Sequence, residues 1–159
     1  GCEARTAELV AHLEEGVQTA REQASALTRR PRVYFEEWDE PLISGIRWVS
    51  ELIGIAGGED CFPELSAQPL GRQRIIADAR EVPRRAPDVI FGSWCGKKFR
   101  PEEVAARPGW SDIPAVRSGF VREIKSPIIL QPGPAALTDG LAALQECIEE
   151  WSRSPAARE

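Results

Sequence analysis

The chain has one histidine, His12, and its four cysteines, Cys2, Cys61, Cys95 and Cys147, stand far apart with no Cys-x-x-Cys pair. That is poor material for a zinc site or an iron–sulfur cluster. A Ser–His–Asp triad would have to use His12, which falls in the middle of a helical stretch away from any loop. No apolar run approaches the roughly 20 residues of a membrane-spanning helix. No glycine-rich phosphate loop is present. The net charge is −5, and the pairs Arg29-Arg30 and Arg84-Arg85 are too short to make a basic face. Nucleic acid and anionic membrane are therefore poor partners. No signal peptide is visible in the chain, and although Gly1-Cys2 would suit a lipoprotein start, the hydrophobic segment that should precede it is not there.

What is present reads as alternating strands and helices in 159 residues, enough for one domain with a real core. Residues 4 to 28 contain no proline and place Leu9, Leu13, Val17, Ala20, Ala24 and Leu27 at three- and four-residue steps. A helix over all of them would be ~37 Å long. Val33-Tyr34-Phe35 is a strand, broken at Asp39-Glu40-Pro41 because proline lacks the amide hydrogen a ladder needs. Ser44 is placed to cap a helix through Ile46, Val49, Ile53 and Ala56, stopped by Gly57-Gly58. Arg74 to Ala77 is a short strand candidate, followed by a helix over Ala79–Arg85. Asp88 to Gly92 is a buried strand. A short helix follows Pro101, and Ala115-Val116 and Gly119 to Ile124 hold further strands. Ser126 to Pro134 is a proline-stiffened loop, and Ala135 to Trp151 is the closing helix, with Leu137, Leu141, Leu144, Ile148 and Trp151 on one face. This order predicts an α/β fold, a three-layer sandwich with a mostly parallel sheet behind a long first helix.

Parallel sheets bind ligands beyond the carboxyl ends of their strands. The loops Glu37–Ser44, Ser93–Phe99 and Lys125–Pro134 leave such ends, bringing Trp38, Trp94, Ser44, Ser93, Ser126, Lys97, Lys98 and Gln131 to one rim. Two tryptophans in predicted loops suggest a flat platform for a large ligand; the competing reading folds each indole back on its own lobe. Glu36, Glu37, Asp39 and Glu40 form an acidic cluster, expected as a solvated edge. Neighbours on a strand face opposite ways, so Glu36 and Glu37 cannot enter one site. Gly92-Ser-Trp-Cys-Gly96 lacks the spacing of a nucleophile elbow, and Cys95 lacks a histidine partner. The chain supplies a binding edge and few parts of a reaction.

The pieces Pro31-Arg-Val-Tyr-Phe-Glu-Glu-Trp, Trp48-Val-x-Glu-Leu-Ile, Ala56-Gly-Gly, Ala86-Pro-Asp-Val-Ile and Trp94-Cys-Gly resemble the carboxy-terminal lobe of the helical-backbone substrate-binding proteins of ABC importers. The Glu-Trp-Asp-Glu-Pro and Ser-Trp-Cys-Gly pieces are most similar to the vitamin B12 (cobalamin) branch, with iron–siderophore and haem binders as relatives. The resemblance covers about residues 5 to 151. It implies that residues 1–30 are a backbone helix linking to an amino-terminal lobe not in this chain, that 31–151 form the carboxy-terminal α/β lobe, and that 152–159 are a frayed tail. It implies no catalytic residue, no cofactor and no metal ligand. It also implies a cleft faced by Glu37, Trp38, Ser93 and Trp94, with Arg74 as a further candidate. The implied ligand is cobalamin or a related corrinoid, delivered to the membrane subunits of an importer from a periplasmic or extracytoplasmic location. Relatives carry a docking glutamate just ahead of the Pro-Asp pair; here Arg80 stands there, with Glu81 beside it. The rival expectation is a small α/β enzyme acting on a tetrapyrrole or metal complex at the same edge through Cys95 or Glu37.

Overall fold

The structure, a computed structural model, describes residues 2–158; Gly1, Glu159 and the side chain of Cys2 lie outside the described residues, and with them the Gly1-Cys2 reading. In chain order the elements are α1 (Cys2–Ser25), β1 (Arg32–Asp39), β2 (Leu42–Ser44), α2 (Arg47–Ile55), β3 (Glu59–Asp60), α3 (Pro63–Ser66), α4 (Glu81–Arg85), β4 (Val89–Gly92), α5 (Pro101–Ala105), α6 (Pro114–Ser118), β5 (Val121–Glu123), α7 (Ser126–Ile129) and α8 (Leu141–Arg153). Strand β1 is central. It runs parallel to β4 on one side, with Val33 opposite Val89 and Glu36 opposite Gly92, and β4 runs parallel to β5. On its other side β1 pairs with β3 in parallel and with β2 antiparallel.

The strand faces explain the layers. Val33, Phe35, Val89 and Phe91 pack with Ala20 of α1, with Val49, Leu52 and Ile53 of α2 and with Leu144, Ile148 and Trp151 of α8. Tyr34, Ile90 and Val121 point the other way, among Phe62, Val82, Val104, Trp110 and Ala115 around α3 to α6. Consecutive strand residues feeding two separate cores is the period-2 geometry of a sheet covered on both faces. The three-layer α/β arrangement with a mostly parallel sheet and a long first helix is thus as the sequence predicts.

Local differences have local causes. Glu40-Pro41 is the turn of a hairpin, so β1 runs on to Asp39 and returns as β2; the proline sits between strands instead of ending the sheet. Ser44 lies in β2, and α2 begins after Ile46 without a side-chain cap. Arg74–Ala77 contributes one bridge, Ile43 to Ile75, instead of a strand. Ala115-Val116 is helical, because Pro114 at the first helical position presets the backbone of α6. The stiff loop after β5 begins with the single turn of α7, and α8 is preceded by a widened turn over Ala136–Gly140. Gly57 ends α2 at φ +98°, and a Cβ there would come within 2.5 Å of Leu27 Cδ1. Helix α8 reaches Arg153, Pro155–Arg158 form a 3-10 turn, and the Ala157 carbonyl accepts a hydrogen bond from Arg29.

Candidate functional site

Strands β1, β4 and β5 are parallel, so the segments that follow them leave the sheet at one edge. The adjacent carboxylates Glu36 and Glu37 lie near that edge and diverge. Glu36 is fully buried and accepts four hydrogen bonds: from Arg107 Nη1 at 2.6 Å and Nη2 at 2.8 Å, and from Tyr34 Oη and Trp94 Nε1 at 3.1 Å each. A buried carboxylate is tolerated only when paired and bonded in this way. Burial, reinforced by the Glu36 charge, pushes the Tyr34 hydroxyl well above its ordinary value of 10.0. The acidic cluster is therefore not a solvated edge at Glu36. Its partner Arg107 was not singled out by sequence reasoning. The available signal was a glutamate directly after an apolar strand, which demands a cation.

Glu37 is the unpaired residue of a bulge, since Glu36 faces Ser44 and Trp38 faces Ile43 across the hairpin. It turns to Arg74, whose Nη1 and Nη2 reach its two carboxylate oxygens at 2.6 and 3.0 Å. Arg74 is buried, donates also to the Ser44 carbonyl, and keeps its Nε without a partner among the described residues. The structure thus brings Glu37 and Arg74 together as a bidentate pair. Ser93 follows β4, is fully buried, and has no partner for its Oγ among the described residues.

The two indoles behave differently. Trp94 is 3% exposed, stacks edge-on to Phe99 at 4.9 Å between centroids, and donates to Glu36. The open platform expected of it is absent here: a loop position does not make a side chain exposed, and the indole N–H is drawn inward by the buried carboxylate. Trp38 is half-buried on β1 and donates to the Glu40 carbonyl at 2.9 Å. The indoles nevertheless share one neighbour. Lys97 Nζ lies 4.9 Å from the Trp94 ring centre and 5.9 Å from that of Trp38, and 2.5 Å from Asp39 Oδ2. Trp38, Trp94, Asp39 and Lys97 therefore converge at the carboxyl end of β1 and β4.

Among the described residues, no group of three or more His, Cys, Asp or Glu side chains is placed to hold a metal. Cys95, the rival's nucleophile, is exposed between Trp94 and Gly96. Glu37, its candidate acid–base group, has both oxygens engaged by Arg74. A cleft of about 470 Å³ lies at the opposite edge, where β1, β4 and β5 begin, lined by Arg29, Arg32, Asp88, Phe120 and Trp151 among others. Its one carboxylate, Asp88, is already shared by Arg29 and Arg32, and none of the predicted site residues reaches it.

A family model described as periplasmic binding protein matches residues 1–128. No curated protein matches the chain. Solved structures do. An ABC transporter substrate-binding protein from Listeria monocytogenes superposes with a TM-score of 0.75 at 14% identity over 91% of this chain and 57% of its own. The S. aureus protein IsdE, solved in complex with heme, gives 0.72 at 21% identity over 91% and 57%. The periplasmic vitamin B12 binding protein BtuF of Vibrio cholerae gives 0.65 at 18% identity over 89% and 52%. The chain spans little more than half the length of these structures, and at such identities the likeness is one of fold.

Proposed function

The chain belongs to the periplasmic binding protein family, and from that premise we propose that it is the carboxy-terminal lobe of a solute-binding component of an ABC importer, without catalysis of its own. The ligand we propose is cobalamin, a related corrinoid or another large metal chelate. It would be held at the rim formed by Glu37, Trp38, Ser93, Trp94 and Arg74, against a second lobe that precedes α1. Delivery would be to the membrane subunits of the importer, outside the cytoplasm.

The observation that carries this reading is the convergence of Trp38 and Trp94 on one point at the carboxyl end of the sheet. Indole faces suit a broad chelate with apolar faces, and a few polar groups fix its orientation. Two further features agree. Residues 3–12 of α1 are exposed, with Leu9 and Val10 open to solvent, as a strut reaching toward another lobe would be. Heme and vitamin B12 are the ligands named for two of the similar structures. No described helix is long and apolar enough to cross a membrane.

The test is an absorbance titration of cyanocobalamin and of haem with the chain, wild type and Trp38→Ala. Trp38 is the better probe, because Trp94 is bonded into the core. A saturable corrinoid shift that weakens about tenfold in the variant is expected, in line with losing one aromatic anchor. Absence of saturable binding by any chelate, or binding indifferent to Trp38, overturns the reading.

A further inference from the structure

Lys97 stands in the segment between β4 and α5, next to Gly96, which holds φ +72°. Its ammonium is within reach of two indole faces and makes an ion pair with Asp39 Oδ2. Both ring distances fall inside the ~6 Å over which an aromatic face attracts a cation. The Lys97 side chain is nearly half exposed, whereas that of Asp39 is almost closed off. The other Asp39 oxygen, Oδ1, is buried and accepts no hydrogen bond among the described residues. A buried carboxylate oxygen with no donor is costly. The niche made by Asp39, Trp38 and Trp94 is thus shaped for positive charge and is incompletely served by the single ammonium that fills it.

We propose that Lys97 is a tethered stand-in for a cationic group of the ligand, and that ligand entry displaces its ammonium from the seat formed by Asp39, Trp38 and Trp94. This rests on the rim being the ligand surface, and adds the charge of what it takes. A chelate bearing a protonated or quaternary amine, or a net positive centre near its edge, satisfies Asp39. A chelate edged with carboxylates meets a buried negative charge instead. The Lys97 side chain is nearly half exposed, so rotation about its own bonds carries the ammonium outward to solvent. A group attached this closely competes at an effective concentration on the order of millimolar or above, so the seat is masked in the free chain.

The experiment titrates benzyltrimethylammonium, and separately benzenesulfonate, onto the wild type, Lys97→Ala, Lys97→Met and Lys97→Ala/Asp39→Asn. Binding is read from the indole N–H resonances of Trp38 and Trp94, with thermal melts to confirm folding. The ammonium probe should bind Lys97→Ala and Lys97→Met about tenfold more tightly than wild type. Adding Asp39→Asn should remove that gain, and benzenesulfonate should gain nothing. An ammonium affinity unchanged by either Lys97 variant overturns the proposal. So does benzenesulfonate binding that the wild type shows and the variants lose, because Lys97 would then be an anion contact. A chain that binds a chelate through Trp38 while failing the ammonium test loses this inference and keeps the binding function. A chain that fails both loses both.

Discussion

Two adjacent carboxylates, Glu36 and Glu37, part at the bulge in β1, and each meets a different arginine, Arg107 or Arg74. The expectation that they could not share a site rests on strand geometry alone and agrees with their divergence. What the sequence hid is which of them is buried. Glu36 has no exposed surface and four donors, so removing it strands the Arg107 charge and leaves the Tyr34 hydroxyl and Trp94 N–H unpaired. Glu36→Ala should lower stability by about 3–5 kcal/mol in urea denaturation, the range for breaking a buried ion pair. Arg47→Ala, which breaks the exposed pair with Glu51, should change it by no more than about 0.5 kcal/mol. The same carboxylate accounts for the burial of Trp94. Its loop position was legible; its burial depended on Glu36 and Phe99, partners distant in sequence, and no local pattern reports them.

The cysteines give a second prediction at this scale. Burial pushes the Cys61 and Cys147 thiols up to about 12, from an ordinary 9.0. Below pH 9 both folded and unfolded chains hold these protons and the two thiols leave stability unchanged. Above it the unfolded chain releases them while the folded chain does not, so stability falls as pH rises from about 9 toward 12. Chemical denaturation across that window should show the decline, and Cys61→Ala/Cys147→Ala should reduce it without abolishing it, because the raised Tyr34 hydroxyl adds its own loss above about 10. An unchanged slope in the double variant would contradict the burial of these thiols.

At the scale of elements, Val33–Phe35, Val89–Gly92 and the apolar face of α8 were legible because each is a long or wholly apolar pattern with one sensible geometry. The hairpin to β2 and the helical α6 were not. In both cases a proline was decisive, and whether it ends, turns or starts an element depends on what packs around it. The end of β4 shows how tightly the rim is built. A Cβ on Gly92 would lie 1.8 Å from the Phe99 ring, and that ring stacks on Trp94. Gly92→Ala should therefore destabilise the chain by about 1–3 kcal/mol or more, the usual range for overpacking, and should shift the Trp94 indole resonance. Gly16→Ala, in open space on α1, should do neither and should raise helix stability slightly. Thermal melts and proton spectra of the two variants check this.

For the molecule as a whole, one sheet with two cores sets a rim of mixed character. Glu36 and Arg107 lock its underside, Glu37 and Arg74 brace the bulge, and Lys97, paired with the nearly closed-off Asp39, remains nearest to solvent. The architecture was readable because alternation of strand and helix constrains topology strongly. The site was readable only as an edge, because convergence of side chains is a property of folded neighbours and not of spacing. The cleft at the opposite end of the strands has volume without matching chemistry. The most direct test of the rim is the indole N–H spectrum, since the chain has five tryptophans spread over its surface and cores. On titration with cyanocobalamin the account predicts saturable shifts of Trp38 and Trp94, with Trp151, at the opposite edge, unmoved. Shifts confined to Trp151, or none at Trp38 and Trp94 up to saturating ligand, would contradict it.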